Sequence, residues 1–330
     1  MQRELGVGPM SPEIIEAIFR YSHYNRTPLM IIASKNQIDH NGGYVNGWNT
    51  KQFMDFVKDL KGTYSNSNVM ICRDHCGPGF NGIYDTEDTY KTIKTDIENG
   101  FDFIHIDFCK HKGARDERLD EAKKAIQYCL KLNPNIVLEI GTDENEGDQF
   151  SITNLQEVKE EVEFFTNFCK PKYYVVQTGS LVKEINQVGG FNQEFIERIR
   201  EFLKSKDIKL KEHNADYFSK DQIETRNGVV DALNIAPQLG ALQTMLVLQK
   251  CITYGVDFDE FIEEAYNSKK WEKWLHTNKP DNKFLCAVIA GHYNFTTDSY
   301  RKIIEQLEAR EDIHEFIMDK VMEVIDHYVN

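Results

Sequence analysis

The chain alternates between two hydrophobic periods. Nearly continuous apolar runs bounded by polar turns occur at 28–34 (PLMIIAS), 68–74 (NVMICRD), 101–108 (FDFIHIDF), 135–142 (NIVLEIGT), 172–178 (KYYVVQT), 207–213 (DIKLKEH) and 229–236 (VVDALNIA), and a first run near Glu4–Met10 makes eight. Between them lie segments with apolar residues at three- and four-residue spacing, among them SPEIIEAIFRY, DTYKTIKTDIEN, DERLDEAKKAIQYCLKL and NLQEVKEEVEFFTNF. Apolar strands without alternation belong to a sheet covered on both faces, and intervening helices supply its crossovers. Eight such units ending near residue 255 predict a closed (β/α)8 TIM barrel. An open doubly wound sheet would carry a glycine-rich phosphate turn after its first strand, and no GxGxxG follows the first run.

Beyond Gly255 the strand pattern stops. FDEFIEEAYN, KKWEKWLH, SYRKIIEQLEAR and DIHEFIMDKVMEVIDHYV read as helices. Residues 1–255 are expected to form the barrel, and 256–330 a helical extension packed on it or on a partner subunit.

Composition narrows the function. A net charge of −14 excludes the basic surface a nucleic-acid partner requires and points to small molecules. No run of about eighteen apolar residues predicts a membrane span, and MQRELGVGPM lacks the parts of a signal peptide. The seven scattered cysteines read as reduced thiols in a cytoplasm. Cys72 and Cys76 lie four apart, but no second pair completes a zinc ribbon.

In such barrels chemistry gathers where the strands end, and here those ends are polar. They offer Asn36 and Gln37 after the second strand, Asp74 and His75 after the third, and His105 and Asp107 on one face of the fourth. Glu139 and Asp143 follow on the fifth, Gln177 on the sixth, His213 and Asp216 on the seventh and Asn234 on the eighth. Each alone suits a structural role, such as Asp74 capping a turn. Converging on one rim, they suit metal-assisted chemistry: His75 can hold a divalent cation while Asp74 moves protons beside it. Aldol cleavage and sugar epimerisation both make that demand. Lys211 could form a Schiff base, but beside a glutamate it reads as an ordinary charged residue.

The segments SKNQIDHNGGY, RDHCGPGF, FIHID, EIGTDE, VVQTG, KEHNADYFS and ALNIAPQLGALQTML, in this order over residues 5–250, resemble the class II tagatose-bisphosphate aldolase accessory-subunit-like family. That family is itself similar to class II fructose- and tagatose-bisphosphate aldolases. The resemblance implies Asp74 as the proton-transfer aspartate and His75 and His213 as metal ligands. It also implies a cofactor that is a divalent metal, zinc first and manganese or magnesium next. Glu139 or Asp143 is then the third ligand or second base, and Asn36, Gln37, His105, Asp107, Gln177, Asp216 and Asn234 bind substrate.

The sequence departs from the aldolases in two places. Gln177–Thr178–Gly179 stands where they carry another metal-binding histidine, and Asn214–Ala215–Asp216–Tyr217 replaces their glycine-rich phosphate loop. The expected activity is aldol cleavage or condensation of a ketose phosphate. Metal-dependent epimerisation of a sugar acid is the alternative. A non-catalytic accessory subunit stabilising a tagatose-bisphosphate aldolase is the other. The expected partners are a sugar or sugar phosphate and another subunit, either a second copy or a catalytic aldolase chain. Affinity for phosphate is expected to be weaker than in true aldolases.

Overall fold

The computed structural model describes residues 4–142, 154–276 and 280–330. Among these, eight parallel strands close into a barrel: β1 (Glu4–Val7), β2 (Leu29–Ser34), β3 (Val69–Cys76), β4 (Phe103–Ile106), β5 (Val137–Thr142), β6 (Tyr173–Val176), β7 (Lys209–Glu212) and β8 (Ala232–Ile235). Each pairs with its sequence neighbours, and β8 closes on β1 with Glu4 opposite Ala232 and Val7 opposite Ile235. The barrel expected from the period pattern is the one observed.

Helices follow the strands as α1 (Pro12–Asn25), α2 (Thr50–Thr63), α3 (Thr86–Glu98), α4 (Arg115–Leu132), α5 (Leu155–Thr166), α6 (Gln193–Ser205), α7 (Lys220–Glu224) and α8 (Pro237–Tyr254). Their starts are written locally. Ser11 accepts the Ile14 N–H ahead of Pro12, and Asn49 and Gln52 close a reciprocal capping box on α2. Gly255, with φ 66°, ends α8 in the left-handed region.

The strands bury both faces. Outward side chains pack with the helices in the main apolar core. Inside, a separate cluster of Met30, Ile32, Cys72, Phe103, Tyr173 and Ala232 fills the barrel. Above this collar the interior turns polar, and the site stands on it.

Arg73 ties the outer layer together. Fully buried, its guanidinium holds Asp96 of α3 through Nε (2.6 Å) and Nη2 (2.9 Å) and donates to the carbonyls of Ala33 (2.9 Å) and Ile38 (2.5 Å). One side chain thus joins β2, its following loop, β3 and α3.

Beyond α8 lie α9 (Asp259–Asn267), α10 (Lys283–Ala290), a 3-10 turn (Gly291–Asn294), α11 (Asp298–Glu308) and α12 (Ile313–Val329). Here α12 lies against α1, where Tyr21 Oη donates to Asp326 (2.9 Å) and Arg20 pairs with Glu315 (2.6 Å). The segment KKWEKWLH, read above as a helix, is instead a turn. Lys269 enters the left-handed region at φ 55°. Trp271 then folds back, its ring stacked on Tyr266 and its Nε1–H on the Tyr266 carbonyl (2.8 Å). A tryptophan buried against the preceding helix outweighed the segment's helical spacing.

All seven cysteines are free, with Cys72 and Cys76 both buried in β3. No described helix is long and apolar enough to cross a membrane.

Replacing Arg73 by Met leaves Asp96 in the core without its counter-charge, held only by the Thr50 hydroxyl (3.1 Å). A loss of about 3–5 kcal/mol is expected in urea unfolding, the usual cost of breaking a buried pair. A loss under about 1 kcal/mol, the range of surface pairs, would show that the pair holds nothing together.

Candidate active site at the mouth of the barrel

Asp74 and His75 are adjacent, and a regular strand would send them to opposite faces. Two backbone features bring them together. The β3–β4 register shifts between Arg73 and Cys76, a bulge, and His75 takes a left-handed φ of 46°. Non-glycine residues held there cost energy and concentrate at functional sites. Asn214, with φ 55°, makes a comparable break directly after His213.

Four donors converge on the barrel axis from four strands. Ligand atoms of Asp74, His105, Glu139 and His213 all lie within 4.8 Å of one another, and all four residues are buried. His213 Nε2 stands 3.5 Å from Glu139 Oε1 and 3.8 Å from Asp74 Oδ1, and His105 Nδ1 stands 3.3 Å from Asp74 Oδ1. His75 is the third imidazole, its ring centroid 5.0 Å from that of His213 and 5.1 Å from that of His105.

Neighbours fix each ring. His105 Nε2 lies 2.9 Å from the Gly141 carbonyl, which can only accept, so Nε2 carries a hydrogen, while Nδ1 faces the His75 backbone N–H (3.2 Å) and Asp74 Oδ1 (3.3 Å). Gly141 is needed at this point: its φ is +89° and a Cβ would sit 2.4 Å from the Val175 carbonyl. His75 Nδ1 meets Asp107 at 2.8 Å, Asp107 also accepts from Thr142 (2.9 Å), and Phe80 stacks on the ring at 4.8 Å.

Beneath the imidazoles, Lys211 Nζ meets Glu139 Oε2 at 2.6 Å, both side chains fully buried. Lys211 is therefore interior rather than an ordinary surface charge. Burial opposes its charge, but Glu139 and its neighbours raise its pKa, so it stays an ammonium and a poor nucleophile.

Burial alone would push the three carboxyls up, yet each ends below its usual range. Asp74 is held well down by His75, His213 and His105, Glu139 falls to about 2 beside Lys211 and the imidazoles, and Asp107 is lowered by His75. Three carboxylates face one ammonium and three imidazoles here. A divalent cation among them would supply the positive charge that the carboxylates otherwise draw from the imidazoles. The donor set, nitrogen and oxygen mixed, fits zinc or a harder divalent ion.

Above this centre opens a cleft of about 240 Å³, small enough for a single sugar. Asn36, Gln37 and Asn234 line it together with Asp74, His75 and His213. Asn234 is buried with neither amide atom partnered among the described residues, while Asn36 donates to the Phe80 carbonyl (2.6 Å). Gln177 is buried at the end of β6 and does not line the cleft; Asp107 stands behind His75. Asp143 lies outside the described residues.

Asp216 also lines the cleft, but its Oδ1 accepts the backbone N–H groups of Ala236 (2.9 Å) and Gln238 (2.8 Å). Those amides open α8, where a phosphate would otherwise be cradled. The chain's own carboxyl oxygen occupies that position. Sequence reasoning also missed Lys273, Trp274, His292 and Tyr293 of the extension, which line the same cleft. No periodicity marks them, since they follow the last strand. The run Gly77–Gly82 does have GxGxxG spacing, but it follows β3 and serves packing: a Cβ on Gly77 would sit 1.6 Å from the Asp107 carbonyl.

Fold and site together define a (β/α)8 barrel with a histidine–carboxylate centre at the C-terminal ends of its strands. Residues 5–131 match the family described as D-tagatose-1,6-bisphosphate aldolase subunit GatZ/KbaZ-like, which bears out the resemblance read from the motifs. Among solved structures, one from Sinorhizobium meliloti 1021, titled a probable tagatose 6 phosphate kinase, superposes with a TM-score of 0.81 at 17% identity, covering 99% of both chains. The fructose-bisphosphate aldolase of Campylobacter jejuni (TM-score 0.60, 14% identity, 93% of this chain and 90% of that one) shares the fold. So does the YdjI aldolase of Escherichia coli K12 (0.54, 14%, 94% and 93%).

A buried Asp216 has its carboxyl pushed up to about 7 by burial, against the pull of the two amides. A raised acid keeps its proton in the folded chain where the unfolded chain releases it. Stability is therefore lost as pH rises from about 4, the ordinary aspartate value, to about 7. Urea unfolding across this window should show wild type losing ground to Asp216→Asn. Parallel curves would mean that the carboxyl is not desolvated.

Proposed function

We propose that this chain is a metal-dependent enzyme of the aldolase type, acting on the carbon chain of a ketose phosphate or a related sugar. One observation carries the reading: three imidazoles and two ionised carboxylates meet at the barrel mouth, each ring held by a second partner or packed in place. A purely structural subunit has no need to gather these charges. The match of residues 5–131 to an aldolase-subunit family supports the same direction.

His213, His75 and His105, with Glu139, would hold the cation. In this reading His105, expected above to touch substrate, takes the place of the histidine missing after β6. Its Nε2–H bond to Gly141 and the His75–Asp107–Thr142 chain have the form of outer partners that orient metal ligands. When bound, a divalent ion supplies Lewis acidity toward a substrate carbonyl.

The chain's own groups do the rest. Asp74, ionised and beside the imidazoles, accepts the proton of a substrate hydroxyl as the adjacent carbon–carbon bond breaks, and returns it in the condensation direction. Asn36 and Asn234 offer amides to hydroxyls, and Phe80 covers one side of His75. If the cleaved aldehyde turned before recondensation, the same groups would perform epimerisation. The α8 amides being taken by Asp216 favours a substrate with one anionic end over a bisphosphate.

The accessory reading rests on the family description alone and is separated by assay of the purified chain with zinc, manganese or magnesium. Asp74→Asn keeps shape and removes the base, so turnover should fall by about 10²–10⁴ with metal retained. His213→Ala should lose metal, read by elemental analysis, together with activity. No turnover of any sugar phosphate or sugar acid by wild type, with no metal retained, would favour the accessory role.

A further inference from the structure

With the barrel's own anion site occupied by Asp216, a charged substrate must meet its counter-charge elsewhere in the cleft. We propose that the helical extension provides it: Lys273, Trp274 and His292 form a wall that reads the anionic end, phosphate or carboxylate, of a polyhydroxylated substrate. The inference rests on reading the cleft as a sugar site and adds what distinguishes one sugar from another.

The first observation is placement. These residues come from beyond the last barrel strand, yet they line the same cleft as Asp74, His75 and His213. The second is unmet hydrogen bonding. Both ring nitrogens of His292, a residue 1% exposed, and the Nε1–H of Trp274 are shut from water and have no partner among the described residues. Buried polar atoms are nearly always paired, and those lining a cavity are paired by what enters it. Burial, with a further push from the Lys273 charge, holds His292 neutral, its pKa lowered to about 3. A neutral imidazole offers one donor and one acceptor, the complement of a hydroxyl.

The third observation is charge. Lys273 Nζ lies over the rings of Trp274 (4.4 Å) and Tyr293 (6.0 Å) and faces no carboxylate among the described residues. An ammonium with no carboxylate partner among the described residues, at the mouth of a cleft in a chain of net charge −14, marks where an anion would be accepted. The wall is also anchored. The Trp274 carbonyl accepts from Glu184 N–H (2.8 Å) and the Lys273 carbonyl from Lys183 Nζ (2.7 Å). His292 seats on the first turn of α8 because Gly240 leaves room: a Cβ there would meet its ring at 2.7 Å.

The test is calorimetric binding of glycerol 3-phosphate, D-gluconate and sorbitol to the full chain. Wild type should prefer an anionic probe over sorbitol, and whichever anion binds more tightly names the end group. Lys273→Met should weaken that anion by about tenfold or more, the loss of a charge-assisted contact, with sorbitol binding and the melting temperature unchanged. Trp274→Phe keeps the ring and removes the Nε1–H, so it should weaken all polyols that bind. Absence of any preference for an anion in wild type, or unchanged anion binding by Lys273→Met, overturns the proposal. The Asp74→Asn protein should keep the anion preference. A chain without turnover therefore still tests the wall, and an active chain with an indifferent Lys273 rejects the wall alone.

Discussion

Everything at the mouth of this barrel is arranged above the pairing of Lys211 with Glu139, at 2.6 Å and shut from water. Burying two charges is costly, and such a pair adds little to net stability. Its consequence is electrostatic. The ammonium keeps Glu139 ionised where an isolated carboxyl would take up a proton. An ionised Glu139 beneath His213 and His105 puts negative charge among buried imidazoles, a setting that suits a cation. The apolar collar of Met30, Ile32, Cys72, Phe103, Tyr173 and Ala232 below keeps the pair from water.

The same economy of charge recurs nearby with the opposite result. Asp216 puts its carboxyl oxygen on the amides that open α8 and so occupies the place an anion would take there. One loop residue converts a place for phosphate into an internal cap. The wall from the extension stands across the cleft with a cation and unpartnered polar atoms. On the proposed reading, charge is recognised by the tail rather than by the amides of α8. The tail is also structural support for the loop that carries Asp216: Tyr328 Oη donates to the Ala215 carbonyl (2.8 Å) and accepts from Phe218 N–H (3.2 Å). Recognition and stability share one segment, so truncating it would disturb both.

Much of this was legible in the linear sequence. The apolar runs at 28–34, 101–108 and 172–178 could be strands buried on both faces and little else, and alternation with amphipathic helices left the parallel barrel as the economical solution. Strand ends then nominated Asp74, His75, Glu139 and His213, because in this architecture strand ends share one rim. The sequence by itself therefore determined the architecture and the chemical character of the rim. These are properties of short-range pattern and of residue type.

Tertiary structure decided the roles. His105 counts as a central donor because Gly141, from another strand, takes its Nε2–H. Asp216 became a cap because the start of α8 closes over it. Asp74 and His75 share a face only because a bulge and a left-handed residue break the strand's alternation. Lys273 and His292 reach the cleft because the chain after Asn267 turns back through the stacked Trp271 instead of continuing as a helix. Each depends on contacts between residues far apart in sequence, where no local period carries information.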